Sequence, residues 1–309
     1  MFKQTLVLLS AVATVLSLAV FVPRQARAQT MLGVAGGGEI NANPGAVYTV
    51  DQGTGALSML GTPYGGVGLP GVATSSTGRV FAVTSVTNPD STSHLIEIDP
   101  VTGALINDIG PMWDASGNGC GIGDLSFQPG TDVLFGLAGN QSSVGTRCGV
   151  GGATGGYLMT IDTSTGQYTI IGRDPSFGNN NGGLAFAPDG TLYFVNGWFD
   201  PGVLYTLDPA TGNILSSRGL SDKSLLVQGL AARPSDGLLF GSYSDGEIYT
   251  IDSATGTTTL IGTNSEFIHD LTFLGQPGEP IPALNGWGKV VAVVLLAGLA
   301  VAILRRRLA

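Results

Sequence analysis

The chain has 309 residues, with 49 glycines, 11% charged residues and a formal net charge of −9. Seven of the 13 basic residues lie in the terminal segments, so residues 29–279 keep six basic residues against all 22 acidic ones, a net charge of −16. A body this acidic repels phosphate backbones, so no nucleic acid partner is expected. Glycines recur between runs of Val, Ile, Leu, Phe and Tyr, a pattern typical of turns between many short strands.

The N-terminal segment has the parts of an export signal. Lys3 gives a basic start, residues 6–22 are almost wholly apolar, and Pro23 is followed by the small-x-small sequence ARA at 26–28. This order predicts a signal peptide over residues 1–28 and a secreted, mature chain that starts at Gln29. An uncleaved N-terminal anchor is the alternative.

A five-fold repeat follows. The pattern D-x-x-T-G starts at successive spacings of 48, 63, 46 and 44 residues, and each copy lies between two strand-like runs, the second usually ending in Gly. Asp at the first turn position accepts hydrogen bonds from the N–H groups just ahead, and Gly takes a positive φ. The pattern therefore predicts a turn role, rather than catalysis, for the five aspartates, which are Asp51, Asp99, Asp162, Asp208 and Asp252.

Each repeat also contains two more strands. The fullest copy is GGLAFAPDGTLYFVNG at 182–197, in which Gly183 and Ala185 share one face and Leu184 and Phe186 the other. A face of small residues suits a crowded inner strand. Four-stranded units of about 45 residues predict a β-propeller.

The two ends of the repeat region complement each other. The first unit, beginning MLGVAGG at 31–37, has three strands, whereas the last piece, HDLTFLG at 269–275, is a lone inner strand. Together they make one blade, which closes the ring and removes sheet edges. The prediction is an all-β fold of five four-stranded blades within residues 29–275, with a β-solenoid or an irregular sixth blade as alternatives. Residues 31–275 resemble secreted β-propellers as a broad group, which implies no particular activity.

Propeller geometry assigns the loops to two faces. With strands A to D counted outward from the axis, the uniform A–B and C–D turns lie on one face and loops B–C and D–A on the other. The irregular sequence, at 111–122, 140–156, 173–181 and 198–200, falls on the second face, where function is expected. Cys120 and Cys148 lie on two of these loops in one blade, which predicts a disulfide in an exported protein, with two free thiols as the alternative.

Two carboxylates mark the channel mouth on that face. Asp124 and Asp270 start inner strands at the position where the other blades carry Gly71, Gly183 and Gly229. Oxygen ligands there would hold a hard cation, and Ca²⁺ is the one cofactor the sequence suggests. The competing interpretation is that the two aspartates cap strand ends, since only two carboxylates converge.

Other polar and aromatic residues define a candidate ligand face. Trp113 and Trp198 would stack on sugars or cover blade edges. The remaining candidates lie close in register to the two aspartates, and they are Asn180, Asn181, Gln228 and His269.

The sequence has few features that indicate an enzyme. The sequence contains no G-x-S-x-G, H-E-x-x-H or P-loop motif and only five glutamates, so no catalytic residue is assigned. The favoured interpretation is a non-catalytic binding or structural protein. A lactonase-like, metal-dependent hydrolase with its site at the channel mouth is the alternative.

The C-terminal segment predicts a single transmembrane helix. Residues 290–304 are uncharged and mostly apolar, and extension back to Leu284 gives about 21 residues if Lys289 snorkels, enough for a ~30 Å bilayer core. Arg305, Arg306 and Arg307 would stay in the cytoplasm. Residues 276–280 form an extended linker before it.

The segment 281–309 resembles the IPTL-type C-terminal sorting domain of Gram-negative exported proteins, one of the PEP-CTERM-like signals handled by exosortases. Ile281, Pro282, Leu284, Trp287 and Gly288 match the motif, while an alanine replaces its threonine. The resemblance implies an exosortase-type processing enzyme as partner, a transient inner-membrane intermediate and transfer to the cell surface or extracellular matrix. Extracellular polysaccharide or another surface component is then the expected partner of the body. A plain membrane anchor is the alternative.

Overall fold

A computed structural model describes residues 29–37, 41–86, 92–138, 156–174, 182–196, 202–222, 227–243 and 245–275. Within these ranges no helix has the length and apolar character needed to cross a bilayer. The described part is all-β, with twenty strands. In chain order they are β1 (Met31–Ala35), β2 (Val47–Val50), β3 (Leu57–Gly61), β4 (Gly71–Thr74), β5 (Val80–Val83), β6 (His94–Ile98), β7 (Leu105–Pro111), β8 (Ile122–Phe127), β9 (Leu134–Ala138), β10 (Leu158–Ile161), β11 (Tyr168–Gly172), β12 (Gly182–Phe186), β13 (Leu192–Asn196), β14 (Val203–Leu207), β15 (Ile214–Gly219), β16 (Val227–Ala232), β17 (Leu239–Tyr243), β18 (Glu247–Ile251), β19 (Thr258–Thr263) and β20 (Ile268–Phe273).

The strands form five antiparallel sheets of four. Blade 1 has the order β20-β1-β2-β3, and blades 2 to 5 take β4 to β19 in consecutive groups of four. The register of β1 on β20 pairs Met31 with Phe273 and Gly33 with Leu271. Both predictions are confirmed: there are five four-stranded blades, and the first and last strands share one blade.

The inner strands form a ring around the axis in the order β20, β4, β8, β12, β16 and back to β20. They approach so closely that side chains at one level are excluded. A Cβ added to Gly229 would lie 2.4 Å from the Cα of Asp270, and one added to Gly183 would lie 2.5 Å from the Cβ of Leu230. Glycine at this level is therefore a packing requirement, as the small face of the inner strands predicts.

The core lies between the blades. Five clusters of buried apolar side chains each join two neighbouring blades, including one between blades 5 and 1 across the closure. Phe127, Phe186 and Phe273 end their inner strands, and each packs its ring against a phenylalanine of the preceding blade at 5.0–5.7 Å between centroids. Burial between sheets thus stabilises the whole ring rather than any single blade.

The D-x-x-T-G turns follow the predicted chemistry. Asp99 Oδ1, for example, accepts the N–H groups of Val101 (2.8 Å) and Thr102 (3.0 Å), and the closing Gly103 has φ +66°. Hydrogen bonds from the turn, first of all that from Val101 N–H, lower the pKa of Asp99. The turn role of these aspartates is confirmed.

These turns also contact the neighbouring blade, although most of their residues are exposed. Each one packs against the last or next-to-last residue, a glycine, of the outer strand of the preceding blade, because blade twist carries the outer strand around the rim. The contacts pair Gly61 with Gly103, Gly110 with Gly166, Gly172 with Gly212, Gly219 with Gly256 and Gly262 with Gly55.

Candidate functional site

Asp124 and Asp270 lie at the centre of the ring, at the level of Gly71, Gly183 and Gly229. Both side chains are fully buried, at 0% exposure. Asp124 accepts the N–H groups of Leu125 (2.5 Å) and Leu184 (2.7 Å). Asp270 accepts those of Leu271 (2.7 Å) and Val72 (2.7 Å), one on each oxygen.

The N–H group of Leu230 also donates to Asp270, so every inner strand gives one donor to the pair. The five donors are Val72, Leu125, Leu184, Leu230 and Leu271. The inner edge of each blade has no strand partner, and its buried N–H groups need acceptors. The two carboxyl groups supply those acceptors for all five blades.

The two carboxyl groups are also hydrogen-bonded to each other. Burial raises the pKa of Asp124 well above its usual value, and the charge of Asp270 raises it further. Burial likewise raises the pKa of Asp270, to about 8, although the hydrogen bonds it accepts lower it in part. Two carboxylates in contact cannot both ionise cheaply in a buried site, so the pair keeps at least one proton at neutral pH.

The hydrogen bonds around the two carboxyl groups fit a role in capping the strands better than a role in binding a cation. All four carboxyl oxygens accept a backbone N–H, and these donors direct positive partial charge toward the place a cation would occupy. Within the described ranges, no group of three or more His, Cys, Asp or Glu side chains is placed to hold a metal. The Ca²⁺ hypothesis stays a prediction for which these contacts give no support.

Gln228 and His269 precede Gly229 and Asp270 in adjacent inner strands, as their register predicts, so the structure does bring them near the pair. Gln228 is buried. The Nδ1–H of His269 donates to the carbonyl of Pro70 at 2.9 Å. Burial lowers the pKa of His269 to about 4, so its imidazole is neutral at pH 7.

Trp113 lies elsewhere. Its carbonyl accepts the N–H of Tyr168, at the start of the outermost strand of blade 3, and it forms a β-bridge with Gly119. This position supports its interpretation as a cover for a blade edge. The other candidates of the ligand face, Asn180, Asn181 and Trp198, lie outside the described residues.

Cys120 is fully buried, and its N–H donates to Thr92 Oγ1 at 2.9 Å. Its predicted partner Cys148 lies outside the described residues, so the disulfide stays a prediction. The same holds for the sorting motif and for the predicted transmembrane helix, all of which follow residue 275.

On the side of the B–C and D–A loops, several buried polar atoms lack a hydrogen-bond partner within the described part of the chain. They include Asn196 Oδ1 at the end of β13, the hydroxyl of Tyr243 at the end of β17 and Glu266 Oε2 in the loop before β20. Strands β13 and β17 lead into B–C loops. Buried polar groups are normally paired, so each of these atoms needs a partner that the described residues do not supply.

Beyond the carboxyl pair, toward the A–B turns, the channel widens into a cavity of about 680 Å³, called here the channel pocket. Its wall consists of the second halves of the inner strands and the A–B turns. This pocket lies at the end opposite the variable loops, where function was expected, and was therefore not predicted from the sequence. The available signal was the row of small residues two places after the aspartate-glycine level, namely Ala73, Ser126, Ala185, Ala231 and Thr272.

Fold and site together define a five-bladed β-propeller whose channel is closed by a carboxyl pair. No protein-family model and no curated protein matches the chain. Many solved structures resemble it in fold, and three of them serve as examples. A protein of unknown function from Bacteroides caccae has 12% identity and a TM-score of 0.47, over 81% of this chain and 100% of that one.

A putative gluconolactonase has 17% identity and a TM-score of 0.48, over 79% of this chain and 82% of its own. The calcium-binding protein regucalcin from Agrobacterium tumefaciens has 15% identity and a TM-score of 0.43, over 75% of this chain and 72% of its own. Likeness at this level leaves function to be inferred from the residues of the site.

Proposed function

We propose that this chain is an exported, surface-sorted β-propeller that acts as a non-catalytic binding or structural protein of the cell surface or extracellular matrix. One observation carries the non-catalytic part. The buried carboxyl pair, the strongest candidate for chemistry, has every oxygen hydrogen-bonded to the backbone and no exposure to solvent. A reacting group must reach substrate or water, and these carboxyl groups reach neither.

The irregular-loop end is the proposed ligand face. Asn196 Oδ1 and the Tyr243 hydroxyl lie buried at the ends of strands that lead into this end, too deep for a bound polymer to reach, so the proposal depends on the irregular loops themselves. Extracellular polysaccharide is the proposed ligand of that surface.

Export and sorting complete the proposal. All twenty strands lie between Met31 and Phe273, so ring closure requires neither residues 1–28 nor the segment after residue 275. These segments are thus available as a signal peptide and as a sorting domain for an exosortase-type enzyme. The Cys120–Cys148 disulfide fits the same oxidising location, and no cysteine in the described ranges is a free thiol.

The rival is the metal-dependent hydrolase. It is favoured by one feature, a pair of carboxyl groups with raised pKa values beside a neutral histidine, a combination frequent at active sites. Asp124, Asp270 and His269 would carry that activity.

One experiment separates the two. The purified chain and its Asp124→Asn variant are tested on a lactone and ester panel with Ca²⁺, Mg²⁺ or Zn²⁺, for a Ca²⁺-dependent melting shift, and for retention on matrix polysaccharide from its source. We expect no turnover, no Ca²⁺ shift and retention by both proteins. Turnover that disappears in Asp124→Asn, with the variant still folded, would establish the hydrolase instead.

A further inference from the structure

The channel pocket is a blind cavity. Its inner end is formed by Leu125, Leu230 and Leu271, whose N–H groups all go to the carboxyl pair. Because the two aspartates have no solvent exposure, the pocket does not continue past them. A volume of about 680 Å³, closed at one end, lies in the middle of the range of small-molecule sites.

The wall is mainly apolar but carries hydroxyl groups at one level. Thr272 Oγ1 lies 3.1 Å from Thr74 Oγ1 across the gap between β20 and β4. Ser126 Oγ accepts the N–H of Phe186 at 2.9 Å, which leaves its hydroxyl hydrogen able to donate. A ligand in the pocket would thus meet apolar walls and a few hydroxyl groups that both donate and accept.

Charge narrows the class of ligand. Among the described lining residues, Asp132 is the one charged side chain; it is exposed at the rim and accepts the N–H of Ser76 at 2.8 Å. No lysine or arginine among them could neutralise an anion, and the body of the protein is strongly acidic. A buried ion without a partner is unfavourable, so a charged ligand would be rejected.

We propose that the channel pocket binds an uncharged, mostly apolar small molecule that bears a hydroxyl group. The apolar part lies against the leucine and alanine side chains of the wall, and the hydroxyl group bonds at the level of Thr74, Ser126 and Thr272. This site lies at the end of the channel away from the irregular loops, so it stands whether or not those loops bind polysaccharide.

The test uses three probes with one skeleton: 4-phenylbutan-1-ol, 4-phenylbutanoate and 4-phenylbutylamine. Each is titrated calorimetrically into the full chain in non-ionic detergent at pH 7. The Ala232→Phe variant narrows the pocket at a position where three other blades carry a phenylalanine that lines it. Ala210→Phe adds the same ring to an exposed turn residue and serves as the control. Partition into detergent is the same for all proteins and is subtracted.

We expect 1:1 binding of the alcohol to the wild type and to Ala210→Phe, and binding about tenfold weaker or undetectable in Ala232→Phe. Thr272→Val should weaken alcohol binding by about two- to tenfold, the usual effect of one neutral hydrogen bond. If Ala232→Phe does not fold, Thr74→Phe narrows the pocket at the same level from another blade. Equal alcohol binding in the narrowed variant, or carboxylate or amine binding as tight as that of the alcohol, would overturn the proposal.

Discussion

Two aspartates at the centre of the ring accept hydrogen bonds from backbone N–H groups that would be unpaired if all five positions were glycine. Five inner strands expose five N–H groups toward the axis, and unpaired buried donors are costly. Asp270 accepts from three strands and Asp124 from two, so two carboxyl groups suffice. At the other three positions the close approach of neighbouring strands leaves no room for a side chain.

This arrangement makes stability depend on pH. Folding raises the pKa values of the pair above the usual value of 3.8, for Asp270 to about 8, so the folded state holds a proton that the unfolded state loses. The contribution is fully present below about pH 4 and is lost as pH rises toward 8. One extra bound proton lowers the free energy of unfolding by about 1.4 kcal/mol per pH unit in this window.

Asp124→Asn removes one of the two titrating groups while keeping a donor toward Asp270. We expect the free energy of unfolding, measured by urea denaturation between pH 5 and 7, to fall with a slope about 1.4 kcal/mol per pH unit shallower than in the wild type. The control is Asp99→Asn, because the lowered pKa of that turn aspartate puts its titration below the window. A free energy of unfolding that does not change with pH in the wild type across this window would mean that the pair is ionised in the folded protein.

At the scale of the elements, the D-x-x-T-G repeat has a second structural role besides forming a turn. The T-G of each D-x-x-T-G turn packs on the glycine at or next to the end of the outer strand one blade earlier, at all five junctions. The two glycines are 37 to 56 residues apart in four junctions and meet across the closure in the fifth. The same short motif therefore shapes a hairpin and joins neighbouring blades.

Gly262 and Gly219 occupy equivalent positions in two outer strands, but only Gly219 has space for a side chain. Substituting each by alanine therefore gives a matched test. A Cβ on Gly262 would lie 2.0 Å from the carbonyl oxygen of Thr54 at the closure, whereas one on Gly219 would meet nothing within 4 Å. Gly262→Ala should lower the free energy of unfolding by about 1–3 kcal/mol or more through overpacking. Gly219→Ala should change it by less than about 0.5 kcal/mol. Urea midpoints check both, and equal losses would show that the rim contact is not tight.

At the scale of the whole molecule, closure by β1 and β20 completes the ring within the described residues, and the proposed sorting segment follows it. If residues 281–309 act as a sorting signal, an export host that has the processing enzyme should release the propeller from the inner membrane. We expect tags placed before Ile281 and after Gly288 to separate, the first appearing at the surface or in the matrix. In a host without the enzyme, both tags should stay in the inner membrane.

A full-length product held in the inner membrane of the competent host would leave only the plain anchor. Substitution of the three terminal arginines, Arg305, Arg306 and Arg307, by alanine provides the matched control. It should disturb orientation and processing without changing the melting temperature of the body, because ring closure does not involve that segment.

The sequence by itself determined the number of blades, the closure and the turn role of the repeated aspartates. These features depend on local chemistry, namely Asp and Gly at fixed turn positions and period-two alternation in each strand, so neighbouring residues specify them. The level shared by Asp124, Asp270 and three glycines was likewise visible, because each inner strand starts at the same point of the repeat.

Only the tertiary structure decided what surrounds those two aspartates. Val72 donates to Asp270 across 198 residues and Leu184 to Asp124 across 60, contacts that exist because sheets from distant parts of the chain pack around one axis. The channel pocket and the rim contacts have the same origin. Their geometry is set by the distance between blades, and that distance depends on how whole sheets pack rather than on any one segment.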